Sequence, residues 1–468
     1  MSLTRVSRSK LILPVVVVVF AVAAVTTAAF AGADARVIRV GIMTDCAGPF
    51  SSAYEPSIGG AQSALAQYAG GKVVNPKSPA AGVTGLTVAG RRVQIVGYGC
   101  GDGSAGRALE ETERLMGKLN ADVMIGPLSG DEATAIAQYA DSHPTKRFIL
   151  GTAGSQDPTL QIAPKNVVRY HGDDVQRNAG LGELVYKRLG WRQAAMVIED
   201  NSLGWTSAAG IVADFCAGGG QIMRRVFVPP NTTDYSSYIQ QLPPPDGIDG
   251  YFWVSGRVAM TEALKTFARQ YGRLDPSRHV VDVPLASETD YENLPRQLVG
   301  AYAGGFGTAP GLRTKQAKAF EAVVTRWYPG LSAGIDADPF VYDYFNAAWA
   351  FVRGLRAAGG DLSKLAASMP LTSRSGYEVS DSGLVRLDAN RQAIQDEYPL
   401  QIVNNAHGKP AAVVVAQVPN VDQSFGGLFT KTSPPPGRTQ PACSKRKLPW
   451  QGKLRVVKAG VITNQRIR

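Results

Sequence analysis

Short apolar runs alternate with stretches of helical period along most of this chain. The pattern is clearest between residues 121 and 160. Val123–Ile125 is an apolar run stopped by Gly126-Pro127. From Ser129 onward, Ala133, Ile136, Ala137 and Ala140 fall on one helical face, and Phe148–Leu150 is the next apolar run, closed by Gly151. Strand, loop, helix, strand is the repeating unit of a parallel sheet. Before it, the pattern predicts a strand at Val37–Met43, a helix at Glu55–Gln67, a Gly/Pro-rich insertion at 69–91, a strand at Val93–Val96 and a helix at Ser104–Leu119. Val167-Val168 is extended, and His171-Gly172-Asp173-Asp174 then breaks the series. A second series follows. Helices are predicted at Val175–Leu189, Trp205–Phe215, Tyr235–Leu242 and Val258–Tyr271, and strands at Ala194–Ile198, Ile222–Val228, Tyr251–Val254 and His279–Val283.

A βα pattern written twice predicts an α/β protein of two doubly wound lobes. Leu298–Ala303 adds a strand. The helices Lys315–Trp327 and Phe340–Ala358 break the alternation and are expected to return to the first lobe, with Leu384–Leu387 and Leu400–Val403 returning to the second. The expected domains are 36–170 with about 306–370, and 171–305 with about 371–408. Residues 409–468 form an appended extension for which no regular structure is predicted. Loops at the carboxyl ends of the strands are where open α/β sheets bind ligands.

The amino terminus stands apart. Arg5, Arg8 and Lys10 precede the apolar run Leu11–Val25, and Ala29-Phe30-Ala31 and Ala33-Asp34-Ala35 offer cleavage sites. Residues 1–35 thus read as a secretory signal peptide, with an uncleaved anchor as the alternative. The cleavage region holds no cysteine, so a lipoprotein is not expected. The four cysteines, Cys46, Cys100, Cys216 and Cys443, suit an oxidising compartment. Cys46 and Cys100 lie just beyond two predicted strands that would be neighbours in a parallel sheet, which pairs them; Cys216 with Cys443 follows by elimination. Without a CxxC pair, and with His143, His171, His279 and His407 scattered, no metal site is expected.

The formal net charge of +11 is unevenly placed. Residues 409–468 carry eleven basic residues against Asp422 alone, whereas 36–408 sum to −1. The near-neutral body excludes a nucleic-acid-binding role; the basic tail either packs against the body or meets an anionic surface.

Gly101-Asp102-Gly103-Ser104-Ala105-Gly106 matches G-x-G-x-x-G, but it follows the second strand rather than the first, and Asp122 begins its strand instead of ending it. It reads as a glycine turn, and no cofactor is expected. Ser129-Gly130-Asp131-Glu132 is a capping box whose serine and helix amino-terminal N–H groups could also hold an anionic group. Asp200-Asn201 after the strand Ala194–Ile198, with Trp205 close by, could hold an ammonium group, or simply cap a helix beside a core tryptophan. Nucleophile-elbow and zinc-protease motifs are absent, so no catalytic residue is assigned and the chain is not read as an enzyme.

Arg39-Val40-Gly41-Ile42-Met43 with Gly48-Pro49-Phe50 resembles the opening of type I periplasmic binding proteins, especially the branched-chain amino-acid (leucine-binding-like) group. Val123–Ser129, Asp200–Gly204, Thr233–Ser236 and Gly383–Arg391 fit the same family in order and spacing, and the likeness covers about residues 37–405. The resemblance implies two lobes joined by three crossovers, a small polar ligand such as an amino acid or related carboxylate held in the hinge cleft, and delivery to an ABC permease by a secreted monomer. It places the ligand carboxylate at Ser129 and at Gly154, Ser155 and Gln156. The family's tyrosine in the acidic turn is Leu203 here. Its acid after the strand His279–Val283 is replaced by Pro284-Leu285, with Glu288 further on. Asp200 and Glu288 are the remaining candidates for an amine anchor. The same fold also serves as a sensor that passes ligand occupancy to a signalling partner.

Overall fold

The computed structural model describes residues 37–282, 292–304, 307–331, 338–365, 378–380, 383–384 and 386–468. The signal-peptide stretch and Glu288 lie outside the described residues.

The first lobe is built on strands β1 (Ile38–Asp45), β4 (Thr87–Val88), β5 (Arg91–Gly101), β6 (Val123–Ile125), β7 (Arg147–Ile149) and β8 (Val167–Val168). They run in the order β4-β5-β1-β6-β7-β8, parallel except for the β4–β5 pair. The insertion forms a small separate ladder, β2 (Lys72–Val73) with β3 (Val83–Thr84). β1 is buried on both faces, as a parallel strand between helical layers must be. On one face lie α1 (Tyr54–Ala69), α9 (Lys315–Trp327) and α10 (Pro339–Ala357), sharing a core of Ile58, Leu65, Val324, Tyr344, Phe345 and Phe351. Gly60 lets α1 and α10 approach, because a Cβ there would strike the Val341 carbonyl. On the other face α2 (Ala105–Thr112) and α3 (Gly130–Ser142) cover Met43, Met124 and Phe148. Both late helices thus pack against the first sheet.

The second lobe contains β9 (Gln193–Glu199), β10 (Gln221–Val228), β11 (Gly250–Val254), β12 (His279–Asp282) and β13 (Tyr302–Ala303), with β18 (Leu400–Asn404) and β19 (Pro410–Val414) added antiparallel. Its helices are α4 (Asp174–Arg177), α5 (Leu181–Arg188), α6 (Ser202–Ala217), the single turn α7 (Ser236–Ile239) and α8 (Arg257–Tyr271). The single helix expected over Val175–Leu189 is split in two. Gly180 sits at φ 79° between the halves, with the Val418 side chain against it. Leu384–Leu387 does not join this sheet. β14 (Glu378–Ser380) pairs with β15 (Gly383–Leu384), and β16 (Arg386–Leu387) pairs with β17 (Ala393–Glu397).

The largest departure from the sequence reading is the extension. β20 (Ala416–Val421) pairs with β17, and β21 (Arg455–Lys458) and β22 (Val461–Arg466) complete a five-stranded sheet. Phe425, Phe429, Leu448, Trp450, Leu454 and Ile467 form a core with Val175, Leu184 and Ala213 of the second lobe and Leu160 of the first. The Trp450 indole donates to Asp214 at 2.9 Å. Both disulfides are formed, Cys46–Cys100 with Cα atoms 5.0 Å apart and Cys216–Cys443 at 5.3 Å. Cys100 lies inside β5, opposite Thr44 of β1, rather than beyond the strand end. β5 outruns its apolar run because Gly97 and Gly99 leave room for Leu119, Leu115 and Met43. Among the described residues no helix is long and apolar enough to cross a membrane.

Candidate functional site

The strands of each parallel sheet deliver their carboxyl-end loops to the space between the lobes, and α3 and α6 approach one another there. On the first lobe, β6 leads through Gly126-Pro127 to Ser129, and β7 leads through Gly151 to Gln156. The structure brings these loops together. The Ser155 hydroxyl donates to the Gly130 carbonyl at 2.9 Å and lies 3.2 Å from the Thr134 hydroxyl. Gly154 is buried against the Asp174 carboxylate, where any side chain would collide. Gln156 is buried, and its amide donates to the Gln423 carbonyl of the extension at 3.0 Å.

Ser129 forms the capping box in full. Its hydroxyl accepts from Glu132 N–H at 3.4 Å and donates to the Gly103 carbonyl at 3.3 Å, while Ser129 N–H donates to the Glu132 carboxylate at 3.2 Å. The cap consumes the hydroxyl on bonds within the protein, to Glu132 N–H and the Gly103 carbonyl. Ser129→Ala is therefore expected to lower stability by about 0.5–2 kcal/mol, the usual worth of a serine cap. A midpoint of thermal unfolding that does not move would show the cap to be dispensable.

Two acids lie beside this cap. Asp45 ends β1, and the Asp45 and Glu132 carboxyls converge where a Cβ on Gly101 would stand. Both are fully buried. Glu132 accepts from Gly103 N–H at 3.2 Å as well as from Ser129. Burial and then the charge of Glu132 push Asp45 up to about 9, and burial raises Glu132 too, so the pair shares a proton at neutral pH.

On the second lobe Asp200 follows β9. The Trp205 indole donates to its Oδ1 at 2.9 Å, and Arg438 from the extension holds both carboxylate oxygens, Nε reaching Oδ1 at 3.0 Å and Nη2 reaching Oδ2. Hydrogen bonds from Arg438 and then Trp205 keep its carboxyl below the ordinary range despite its burial. Leu203 is half-buried in the first turn of α6, whose cap is Asn201, accepting from Gly204 N–H at 2.9 Å.

Between the lobes runs a buried ionic network that the motif reading missed. Arg177 donates to Asp343 at 2.7 Å, to Asp174 at 3.1 Å, to His171 at 2.9 Å and to the Thr152 carbonyl at 3.2 Å. Arg169 donates to the Ala153 and Ser155 carbonyls at 2.9 and 2.7 Å, to Thr159 at 2.7 Å and to Gln392 at 2.6 Å. These arginines thereby fix the β7 loop to the crossover at 169–173 and to Gln392, just ahead of β17. Burial lowers Arg169 to about 10 and His171 well below its ordinary value, so His171 is neutral. Glu397, the last residue of β17, is pushed by burial up to about 8. Asp282, the last residue of β12, is an acid at a second-lobe strand end. It is buried, accepts from Asn178 at 3.0 Å and is raised to about 6 by burial. The sequence had hidden it inside the predicted strand. His171-Gly172-Asp173-Asp174, which interrupts the βα series, was the one visible trace of the network.

The structure resembles solved periplasmic proteins. An ABC transporter substrate-binding protein from Sphaerobacter thermophilus superposes with a TM-score of 0.68 at 17% identity, over 83% of this chain and 99% of its own. An R. palustris solute binding protein in complex with benzoate matches with a TM-score of 0.65 at 18% identity, over 85% and 100%. A leucine binding protein from Thermotoga maritima matches with a TM-score of 0.63 at 17% identity, over 81% and 99%. At these identities the likeness establishes the two-lobed fold. A comparison with curated proteins returned no significant match. The model of the family described as periplasmic binding protein matches residues 37–408, most of the chain, and the chain belongs to that family of solute-capturing proteins.

Proposed function

We propose that this protein captures a small carboxylate without an α-amine between its lobes and hands it to an ABC permease outside the cytoplasmic membrane, having been exported by its amino-terminal signal peptide. The observation that carries the ligand class is the state of Asp200. A free acid at that strand end would be the natural partner of an ammonium group, but Arg438 already holds both of its oxygens. Among the described residues Asp174 is likewise bound by Arg177, and Asp282 is buried with its Oδ2 on Asn178, its charged form disfavoured by burial, which pushes it up to about 6. An ammonium group buried without a free anionic partner costs several kcal/mol. The first lobe offers the opposite chemistry, a helix amino terminus at Gly130 beside Ser155 and Gln156, which suits a carboxylate. Solved proteins of this fold include one with benzoate and one named for leucine, so the fold admits both classes.

The test is calorimetry with matched pairs: leucine against 4-methyl-2-oxopentanoate, and phenylalanine against benzoate and phenylpyruvate. The amine-free member of each pair is expected to bind at least tenfold more tightly. Tighter binding of the amino acids would overturn the ligand class.

A further inference from the structure

The extension lies beyond the family match, which ends at residue 408, yet it reaches the ligand-facing loops of both lobes. Gln423 meets the first lobe, taking a hydrogen bond from Gln156 at 3.0 Å and one from Thr159 at 3.3 Å, and Gln161 donates to the Ser433 carbonyl at 3.4 Å. The chain then crosses to the second lobe. Arg438 docks on Asp200, Arg225 donates to the Pro441 carbonyl at 2.7 Å, and Cys443 is covalently tied to Cys216. The crossing segment is thus anchored at both ends, and Arg438 sits at its middle.

At that midpoint burial is unequal. The Asp200 side chain is 9% exposed and that of Arg438 65% exposed. The acid is covered and the guanidinium faces outward, its carbon 5.9 Å from the centre of the Phe227 ring. Asp200 N–H donates to the Val228 carbonyl, which places the pair where the carboxyl ends of β9 and β10 meet.

We propose that Arg438 is a specificity-determining residue: it neutralises Asp200 and presents a guanidinium in its place, so that the second-lobe rim of the cleft selects an anionic ligand and turns away an ammonium-bearing one. This rests on the proposed capture of an amine-free carboxylate and names the residue that sets it. Arginine suits the role because its planar fork matches both carboxylate oxygens and leaves an N–H edge over, which a lysine would not supply in the same geometry.

The experiment uses the full mature chain, with the pair leucine and 4-methyl-2-oxopentanoate and with benzoate as a third probe, on wild type, Arg438→Ala, Arg438→Lys and the double variant Arg438→Ala/Asp200→Asn. Circular dichroism checks that each is folded. Arg438→Ala is expected to move the keto-acid to amino-acid preference by at least tenfold toward the amino acid. Arg438→Lys should restore part of the preference, and the double variant should lose the gain in leucine affinity because Asp200 is then uncharged. A preference that stays within twofold in folded Arg438→Ala overturns the proposal and leaves the ligand class standing. A wild type that already prefers leucine, yet shifts further toward it in Arg438→Ala, overturns the ligand class and leaves Arg438 in its role. Failure of every variant to bind any of the three probes overturns both.

Discussion

Replacing Arg177 with methionine is expected to destabilise the protein by about 3–5 kcal/mol, the cost of leaving one half of a buried ion pair behind. Arg177 is 1% exposed, and both Asp343 and Asp174 are as thoroughly buried. Burial alone would lower the pKa of the guanidinium, but Asp343 and Asp174 outweigh that and raise it, so the charge is held in place by two carboxylates at once. Methionine keeps much of the volume and removes every donor. Asp343 loses its 2.7 Å partner, the Thr152 carbonyl its 3.2 Å donor and His171 its 2.9 Å donor. The effect should reach the loop after β7, because Thr152 precedes Gly154 and Ser155 in it. Urea unfolding of wild type, Arg177→Met and Arg177→Met/Asp343→Asn decides it. The double variant should recover part of the loss, since it withdraws the stranded charge. A single variant that costs less than about 1 kcal/mol would show that water reaches the network and that the arginine is replaceable.

The parts of this fold that could be read from sequence are those where burial is written in apolar residues. β1, β6 and β7 are covered on both faces and appear as apolar runs, and α3 shows its face through Ala133, Ile136, Ala137 and Ala140. The first-lobe loops followed from these strands, whereas Ser155 as a ligand contact was implied only by the family resemblance; the structure places its hydroxyl on the Gly130 carbonyl, one residue past Ser129. What stayed hidden was burial written in charge. Arg169, Arg177, Asp174 and Asp343 look like surface residues to any hydrophobic pattern, and only their partners, distant in sequence, make them interior. The extension was hidden for another reason. Phe425, Phe429, Leu448, Trp450 and Leu454 are spaced with neither strand nor helix period, because much of their packing segment is turn and irregular chain. One clue was available. Pairing Cys216 with Cys443 required the tail to return to α6, and a tethered tail that carries Phe425, Phe429 and Trp450 has apolar surface to bury.

Asp45→Asn is expected to stabilise the protein increasingly as pH rises from 5 to 8. The Asp45 carboxyl is fully buried beside Glu132 and is pushed up to about 9, whereas in the unfolded chain it titrates near 3.8. Between those values the folded protein keeps a proton that the unfolded chain has released. Stability therefore falls with rising pH across this window, by up to about 1.4 kcal/mol per unit for one proton. Asparagine has the shape of a protonated aspartate, can donate to Glu132 as that proton does, and does not titrate. Relative to wild type it should gain up to about 4 kcal/mol between pH 5 and pH 8, three units at that slope. Chemical unfolding at the two pH values measures the difference directly. Wild-type and variant stabilities that run parallel from pH 5 to 8 would mean that Asp45 is already ionised and that solvent reaches the pair. The consequence for binding has the same sign. The pair lies against the Ser129 cap, through Gly103 and Glu132, so a second negative charge there would oppose a carboxylate at the Gly130 end of α3. The shared proton keeps the pair at a single negative charge between pH 5 and pH 8, which favours the proposed carboxylate there.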